Sequence, residues 1–261
     1  MFTISIDPLL FVGPFIIRWS LLIVVIAVGI GIWLAAREAE QKGIGKDNVY
    51  EVAGWIVIAG IVGARLFYVI DLWSFEFALN PAWSLNIFHD WGFDISGAVL
   101  GGLIATVLVC WKRGWRLPVF LDAAAPGLVL ALAIGRIYCI LTGDAIGRPT
   151  YGPLGFAYTD SNSLAHQLNV YYTPMPAFEL IANLFIFGTL WRLRNRKWPD
   201  GTLFLIYLIL YGVERYFLGF ISAYRIVAFG LTQSQIIALA GLTFAIPVLA
   251  FRSVMFRKQT I

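Results

Sequence analysis

Runs of about twenty apolar residues recur along nearly the whole 261-residue chain, and they constrain the fold more than any other feature. At about 1.5 Å rise per residue, a helix of that length crosses a hydrocarbon core of about 30 Å. Sixty per cent of the residues are apolar and thirteen per cent charged, too few charges to cover a soluble domain of this size. The solvent is therefore lipid. The predicted fold is all-α and integral to the membrane, with seven transmembrane helices near residues 15–36, 50–71, 95–111, 118–141, 174–192, 202–221 and 233–251. Residues 1–261 read as a single polytopic membrane domain.

The net charge of +4 does not indicate a nucleic-acid partner, because the basic residues sit in short loops between apolar segments. Arg37, Lys42 and Lys46 follow the first span; Lys112, Arg113 and Arg116 the third; Arg192, Arg194, Arg196 and Lys197 the fifth; the tail adds Arg252, Arg257 and Lys258. These thirteen of nineteen basic residues fall on one side. Cytoplasmic loops are enriched in Lys and Arg, so the N-terminus is expected outside and the C-terminus in the cytoplasm. The N-terminus lacks the basic region and small-residue cleavage site of a secretory signal, so the first apolar segment is expected to be kept. Residues 72–94, rich in Trp, Phe and Asn, read as an outer interfacial segment, and 142–173 as an ordered outer loop. Cys110 and Cys139 offer no disulfide framework, and no Cys or His spacing suggests a metal or cofactor.

Six arginines remain: Arg18, Arg65, Arg136, Arg148, Arg215 and Arg225. Span polarity puts Arg18, Arg65, Arg136 and Arg215 in the outer half of the bilayer, with Arg148 and Arg225 just beyond it. A charge at such depth costs at least about 2.5–3.5 kcal/mol, so several at one level need partners or a wet cavity. Glu179, Glu214, Asp94 and Asp144 are acids at matching depth. Structural ion pairs account for any one arginine as well as a ligand does. For four at one level, a shared anion is the stronger reading, and a guanidinium fork matches the phosphate of a phospholipid head group.

Across span four, Ile134-Gly-Arg136-Ile-Tyr-Cys139-Ile-Leu-Thr-Gly143-Asp144-Ala-Ile-Gly147-Arg148 resembles the signature of bacterial prolipoprotein diacylglyceryl transferases, roughly G-R-[IL]-G-N-F-x-N-G-E-x-x-G. Collinear matches are Gly63-Ala-Arg65-Leu-Phe-Tyr68, the glycine-rich Ile95-Ser-Gly-Ala-Val-Leu-Gly101-Gly102, Thr173-Pro-Met-Pro-Ala-Phe178-Glu179, Leu210-Tyr-Gly212-Val-Glu-Arg215 and Ser234-Gln235-Ile236. The resemblance covers essentially the whole chain, with the same seven-span, N-outside plan in the bacterial cytoplasmic (inner) membrane. It implies transfer of the diacylglyceryl group of phosphatidylglycerol to a lipobox cysteine of a preprolipoprotein, releasing glycerol phosphate. By position it makes Arg136 the arginine that holds the head group, Arg215 its partner, and Asp144 the counterpart of a family glutamate. Departures are Ser20 for a span-one tyrosine, Ser96 for a histidine, Cys139 for the signature asparagine, and Gly219 for a glutamate.

The chemistry needs a thiolate and stabilisation of the departing phosphate. Arg136 and Arg215 are expected to clamp the phosphate, with Asp144, or failing it Glu214, accepting the thiol proton. Arg65, Ser96, Cys139, Gly147, Glu179 and Glu214 are the further candidate substrate-binding residues. Cys139 reads first as a buried small side chain rather than a nucleophile. Two readings from other classes stand beside this one: a catalytically altered paralogue that binds an anionic phospholipid, and a lipid or anion transporter. The second should carry an internal repeat and polar groups at mid-depth, which the sequence does not show.

Overall fold

The computed structural model describes residues 1–13, 15–73, 77–78, 92 and 94–259. The expected interfacial segment at 72–94 falls mostly outside these residues. The described chain is mostly helical: β1 (Phe2–Ile4), β2 (Leu9–Val12), β3 (Phe15–Arg18), α1 (Trp19–Gln41), α2 (Lys46–Asp71), α3 (Ile95–Arg113), α4 (Leu117–Thr142), β4 (Phe156–Tyr158), α5 (Met175–Leu193), α6 (Thr202–Leu218), β5 (Ile226–Ala228), β6 (Leu231–Thr232) and α7 (Gln233–Gln259). Among the described residues, α1, α2, α3, α4 and α7 are long and apolar enough to cross a bilayer. The chain is thus a multi-pass membrane protein. Large apolar side chains such as Leu21, Val25 and Ile26 on α1 stand exposed, the expected lipid-facing surface of such a helix. The helices α5 and α6 have 19 and 17 residues and carry Glu179, Asn183, Glu214 and Arg215, which lower their hydropathy.

Three short two-stranded sheets add to the all-α expectation. The first apolar run does not begin its helix at residue 15: Phe15–Arg18 pairs antiparallel with Leu9–Val12, and α1 starts at Trp19. The apolar β-branched Ile16 and Ile17 suit either state, and the Gly13 turn with φ of 60° tips the segment into a hairpin.

The chain divides into two compact units, residues 39–120 and residues 1–38 with 121–261. In the first unit, α2 and α3 cross at glycines. A Cβ on Gly63 would lie 2.3 Å from the Gly97 carbonyl oxygen, and one on Gly97 would lie 2.2 Å from that of Gly63, so only glycine permits this approach. Asp94 caps α3, its carboxylate accepting from the amides of Ser96 (2.7 Å) and Gly97 (3.2 Å). Gly114, at φ of 68°, ends the helix, and the Trp115 amide donates to the Cys110 carbonyl at 2.8 Å.

In the second unit, Gly127 of α4 lets that helix approach Gly31 of α1, where a Cβ would lie 2.3 Å from the carbonyl oxygen. Buried Ala125, Val129, Ile186, Leu190, Leu203 and Tyr207 join α4, α5 and α6 in one core. Asp122 of α4 caps α6, accepting from the amides of Gly201 (2.7 Å) and Phe204 (2.8 Å). The loop between α4 and α5 carries a strand of its own, β4. Strand β4 pairs in parallel with β1, Phe2 opposite Phe156, and Tyr158 donates its hydroxyl to the Ile140 carbonyl at 2.8 Å. Ile146, Tyr158 and Tyr172 form its small buried core.

The glycine crossing gives a paired prediction. Gly97→Val forces α2 and α3 apart and lowers stability by about 1–3 kcal/mol, the usual cost of overpacking. Gly102→Ala is tolerated, since a Cβ there meets nothing nearer than 3.9 Å. Thermal melting of the two purified variants in detergent separates them.

Candidate functional site

The C-terminal half of α4, the N-terminal half of α5 and the C-terminal half of α6 bring polar groups to one level of the second unit. Glu179, with no solvent exposure, is the hub. Its Oε2 lies 2.5 Å from Nε of Arg136 on α4, and its Oε1 accepts from Nη1 of Arg215 on α6. One carboxylate from α5 therefore joins guanidiniums from the helices on either side. Arg215 is further fixed by Tyr211 one turn earlier, whose phenol oxygen accepts from Nε at 2.8 Å. Arg136 also directs Nη1 to the sulfur of buried Cys139 at 3.8 Å, one turn along α4.

Glu214 belongs to the same cluster although it neighbours Arg215 in sequence. It is buried, and its Oε1 accepts from Nδ2 of Asn183 at 3.5 Å. Asn183 in turn donates to the Glu179 carbonyl at 2.8 Å. Glu214 Oε2 and Asn183 Oδ1 are buried with no hydrogen-bond partner among the described residues. Buried polar atoms without partners are costly, and such pairs mark places where a ligand hydroxyl or water completes a network.

The residues after α4 and α6 close over this level. Asp144 accepts from the amide of Ala145 at 2.8 Å and lies within electrostatic reach of Cys139 and Tyr224. Tyr224, an exposed side chain after α6, lies within electrostatic reach of Glu179, Arg136 and Arg215. Gly147 is held between two strands of loop: its amide donates to the Thr173 carbonyl at 2.9 Å, and a Cβ would lie 2.7 Å from the Ile221 carbonyl oxygen. Its role is thus close backbone approach.

Of the expected site residues, Arg136, Arg215, Glu179 and Cys139 meet directly, Glu214 joins them through Asn183, and Asp144 and Gly147 border them. Arg65 and Ser96 belong to the other unit. There Arg65 is buried, donates to the Gly92 carbonyl at 3.2 Å and lies 5.5 Å over the Tyr68 ring; the Ser96 amide is engaged by Asp94. Arg18 ends a strand, Arg148 binds the Ser222 carbonyl at 3.0 Å, and Arg225 is exposed. Gly219 packs against buried Gln235, whose Cγ would lie 2.4 Å from a Cβ at that position. Asn183 and Tyr211 were missed. Their signals were present: an asparagine four residues after Glu179 and a tyrosine four before Arg215 each share a helix face with the charge they serve.

The cluster presents two guanidiniums at one height. Each has five N–H donors in a plane, so a single carboxylate cannot saturate either, and the remaining donors suit a phosphate.

Comparison with known proteins identifies relatives along nearly the full length. The family model for prolipoprotein diacylglyceryl transferase matches residues 8–251. Proteins named phosphatidylglycerol–prolipoprotein diacylglyceryl transferase from three bacteria are similar. That of Dehalococcoides mccartyi is 32% identical over 262 residues, 99% of this chain and 97% of its own. That of Gloeobacter violaceus is 30% identical over 236 residues, covering 88% and 87%. That of Clostridium tetani is 33% identical over 239 residues, covering 90% and 92%.

Removing the hub should be the most damaging change in the second unit. Glu179→Ala leaves two half-buried guanidiniums without their shared, fully buried carboxylate and is expected to lose about 3 kcal/mol, the lower end of the range for breaking a buried pair. Arg148→Ala, which removes one carbonyl bond at an exposed side chain, should cost no more than about 1.5 kcal/mol. Denaturant melts of both variants in mild detergent test the ranking.

Proposed function

Because the chain belongs to the prolipoprotein diacylglyceryl transferase family, we propose that it moves the diacylglyceryl group of phosphatidylglycerol onto the lipobox cysteine thiol of a preprolipoprotein. The protein is a transferase of lipoprotein biosynthesis. The observation that carries this reading to particular residues is the joining of Arg136 and Arg215 by the buried carboxylate of Glu179.

In the reaction, the thiol sulfur attacks the carbon of the diacylglyceryl group that bears the phosphate. An S–C bond forms, the C–O bond to phosphate breaks, and glycerol phosphate leaves carrying the electron pair. Arg136 and Arg215 hold the phosphate through donors that Glu179 does not use, and stabilise its growing charge more in the transition state than in the bound lipid. Glu179 keeps the guanidiniums from reorienting during the reaction. Asp144 accepts the thiol proton; Glu214, whose Oε2 is buried without a partner among the described residues, is the second candidate. Cys139 supports Arg136 through its sulfur and takes no covalent part. Gly147 lets the backbone close over the head group. Arg65 and Ser96 are kept as further candidate lipid-binding residues within their own unit.

The topology that fits is seven spans in one polytopic domain, N-terminus outside and C-terminus in the cytoplasm, in the bacterial inner membrane. Three odd-numbered loops and the tail carry thirteen of the nineteen basic residues, which supports this orientation. The loop after α4 then faces outward. One alternative is favoured by specific residues: Ser20, Ser96, Cys139 and Gly219 depart from the family pattern, as a paralogue that binds anionic phospholipid without transfer would allow.

Labelled phosphatidylglycerol and a lipobox peptide distinguish the two. The purified protein should transfer label to the peptide and should rescue a bacterium depleted of its own transferase; a well-expressed chain that does neither is the paralogue. Arg136→Ala should reduce turnover by about 10²–10³-fold, the loss typical of one transition-state donor. Asp144→Asn should abolish transfer while lipid binding survives, and retained turnover would shift the base to Glu214.

A further inference from the structure

Between α6 and α7 the chain leaves a run of apolar side chains without protein cover. Tyr224, Ile226, Val227 and Phe229 are all exposed, Phe229 almost completely at 98%. Successive strand residues point to opposite faces, so exposure of both Ile226 (54%) and Val227 (62%) leaves β5 bare on both sides. A strand at a water-facing surface alternates apolar and polar residues, which β5 does not. Arg225, also exposed, stands directly before it.

The turn of this hairpin is a second observation. Ala228 pairs with Leu231, and Phe229 and Gly230 between them have φ of 53° and 75°. Positive φ at both positions is what a two-residue type I′ turn requires, and such turns favour Asn followed by Gly because bulky side chains are strained there. Gly230 fits this rule and Phe229 breaks it. An aromatic ring is thus held at the tip against backbone preference, with no described residue packed over it.

The root of the hairpin, by contrast, is fastened. The Thr232 amide donates to Oε1 of buried Gln235 at 2.9 Å, and Gln235 Nε2 donates to the Tyr216 carbonyl at 3.1 Å. Arg148 donates its amide to the Ile221 carbonyl (3.1 Å) and its Nε to that of Ser222 (3.0 Å). Helix α7 starts at Gln233, directly after β6, and is long and apolar enough to cross a bilayer, with Ile237 and Phe244 exposed along it. The four residues from Gly230 to Gln233 reach at most about 14 Å when extended, so the tip stays close to the membrane boundary.

We propose that the β5–β6 hairpin is a membrane anchor: Ile226, Val227 and Phe229 embed in the interfacial layer of the leaflet where α6 ends and α7 begins, and Arg225 meets lipid phosphates there. Lipid is the occupant that fits, because apolar side chains on both faces beside a tyrosine and a cation match the composition of membrane interfaces, whereas a protein groove would cover one face. A two-stranded ribbon leaves edge N–H and C=O groups unpaired, which keeps it in the hydrated interface and out of the hydrocarbon core. The anchor goes beyond the transferase reading and does not depend on it. Since Ser222 at its root bridges to Gly147, it also ties the loop that borders the Arg136–Glu179–Arg215 cluster to the depth of the lipid head groups.

Site-directed spin labelling tests this. Nitroxides are attached through Phe229→Cys, Ile237→Cys and Gln167→Cys in the full-length protein, in vesicles of phosphatidylglycerol and phosphatidylethanolamine. The native Cys110 and Cys139 are buried, and wild type treated with the same reagent gives their background. Collisions are measured with oxygen, which concentrates in lipid, and with a nickel chelate, which stays in water. Exposed Ile237 on α7 is the lipid reference, and exposed Gln167 in the loop after α4 the aqueous one. The label at 229 should follow the one at 237, with oxygen collisions dominant, and should lose that dominance in Arg225→Glu, whose carboxylate the anionic head groups repel. A label at 229 that follows position 167 overturns the anchor. Shielding from both reagents also overturns it, as the mark of a protein cover, and dipolar broadening between labels then identifies a second copy. Oxygen dominance unchanged in Arg225→Glu overturns the role of Arg225. Should the label at 229 disturb the turn, Val227→Cys reads the same contact from the strand and decides by the same criteria.

Discussion

A carboxylate without solvent exposure holds two guanidiniums, and three helices take their relative height from it. Glu179 of α5 reaches Arg136 of α4 and Arg215 of α6. Separately, each of these charges is expensive to bury in a membrane protein. Together they are one network, in which loss of any member strands the others, so sliding α4, α5 or α6 along its axis is opposed by electrostatics as well as by packing. Around this fixed level the remaining groups have defined places: Tyr211 behind Arg215, Cys139 beside Arg136, Asn183 between Glu179 and Glu214.

The network is embedded in a set of apolar helices. Helices α1, α2, α3, α4 and α7 are long and apolar, and α2 and α3 pack closely through glycines that include Gly63, Gly97 and Gly101. The helices α5 and α6, of 19 and 17 residues, carry Glu179, Asn183, Glu214 and Arg215 within otherwise apolar sequences. Their other halves compensate with a dense core around Leu190, Leu203 and Tyr207, and with the Asp122 cap at the start of α6. Stability is thus concentrated at one end of this helix group and chemistry at the other, a division common where a site must hold polar groups in fixed geometry.

Much of this was legible in the sequence because lipid imposes a simple length rule. The seven helices lie close to the expected apolar runs, and the charges at 136, 179, 214 and 215 stand out against an apolar background. What the sequence did not disclose depends on tertiary packing. The Phe15–Arg18 segment is apolar enough for a helix, yet pairs as a strand. Depth along a helix suggested that Arg18, Arg65, Arg136 and Arg215 share one level, but depth does not say which way a side chain turns. Arg136 and Arg215 meet at Glu179, Arg65 is held by Gly92 and Tyr68 in its own unit, and Arg18 ends a hairpin. Asp94, read in the sequence as an acid at the arginines' depth, also caps α3. Hydrogen-bond partners such as Asn183 and Tyr211 were visible only as one-turn spacings, which become informative once the charge they serve is known.

The central claim is that the guanidiniums joined by Glu179 receive a phospholipid phosphate. Its most direct test is a solid-state NMR dipolar recoupling measurement between the phosphorus of phosphatidylglycerol and isotope-labelled arginine side chains in the protein reconstituted in bilayers. The account predicts direct phosphate–guanidinium contact at two arginines, with the contact assigned to position 136 lost in Arg136→Lys. Coupling that survives unchanged in a double Arg136→Lys/Arg215→Lys variant, or no coupling in the wild type, would contradict it.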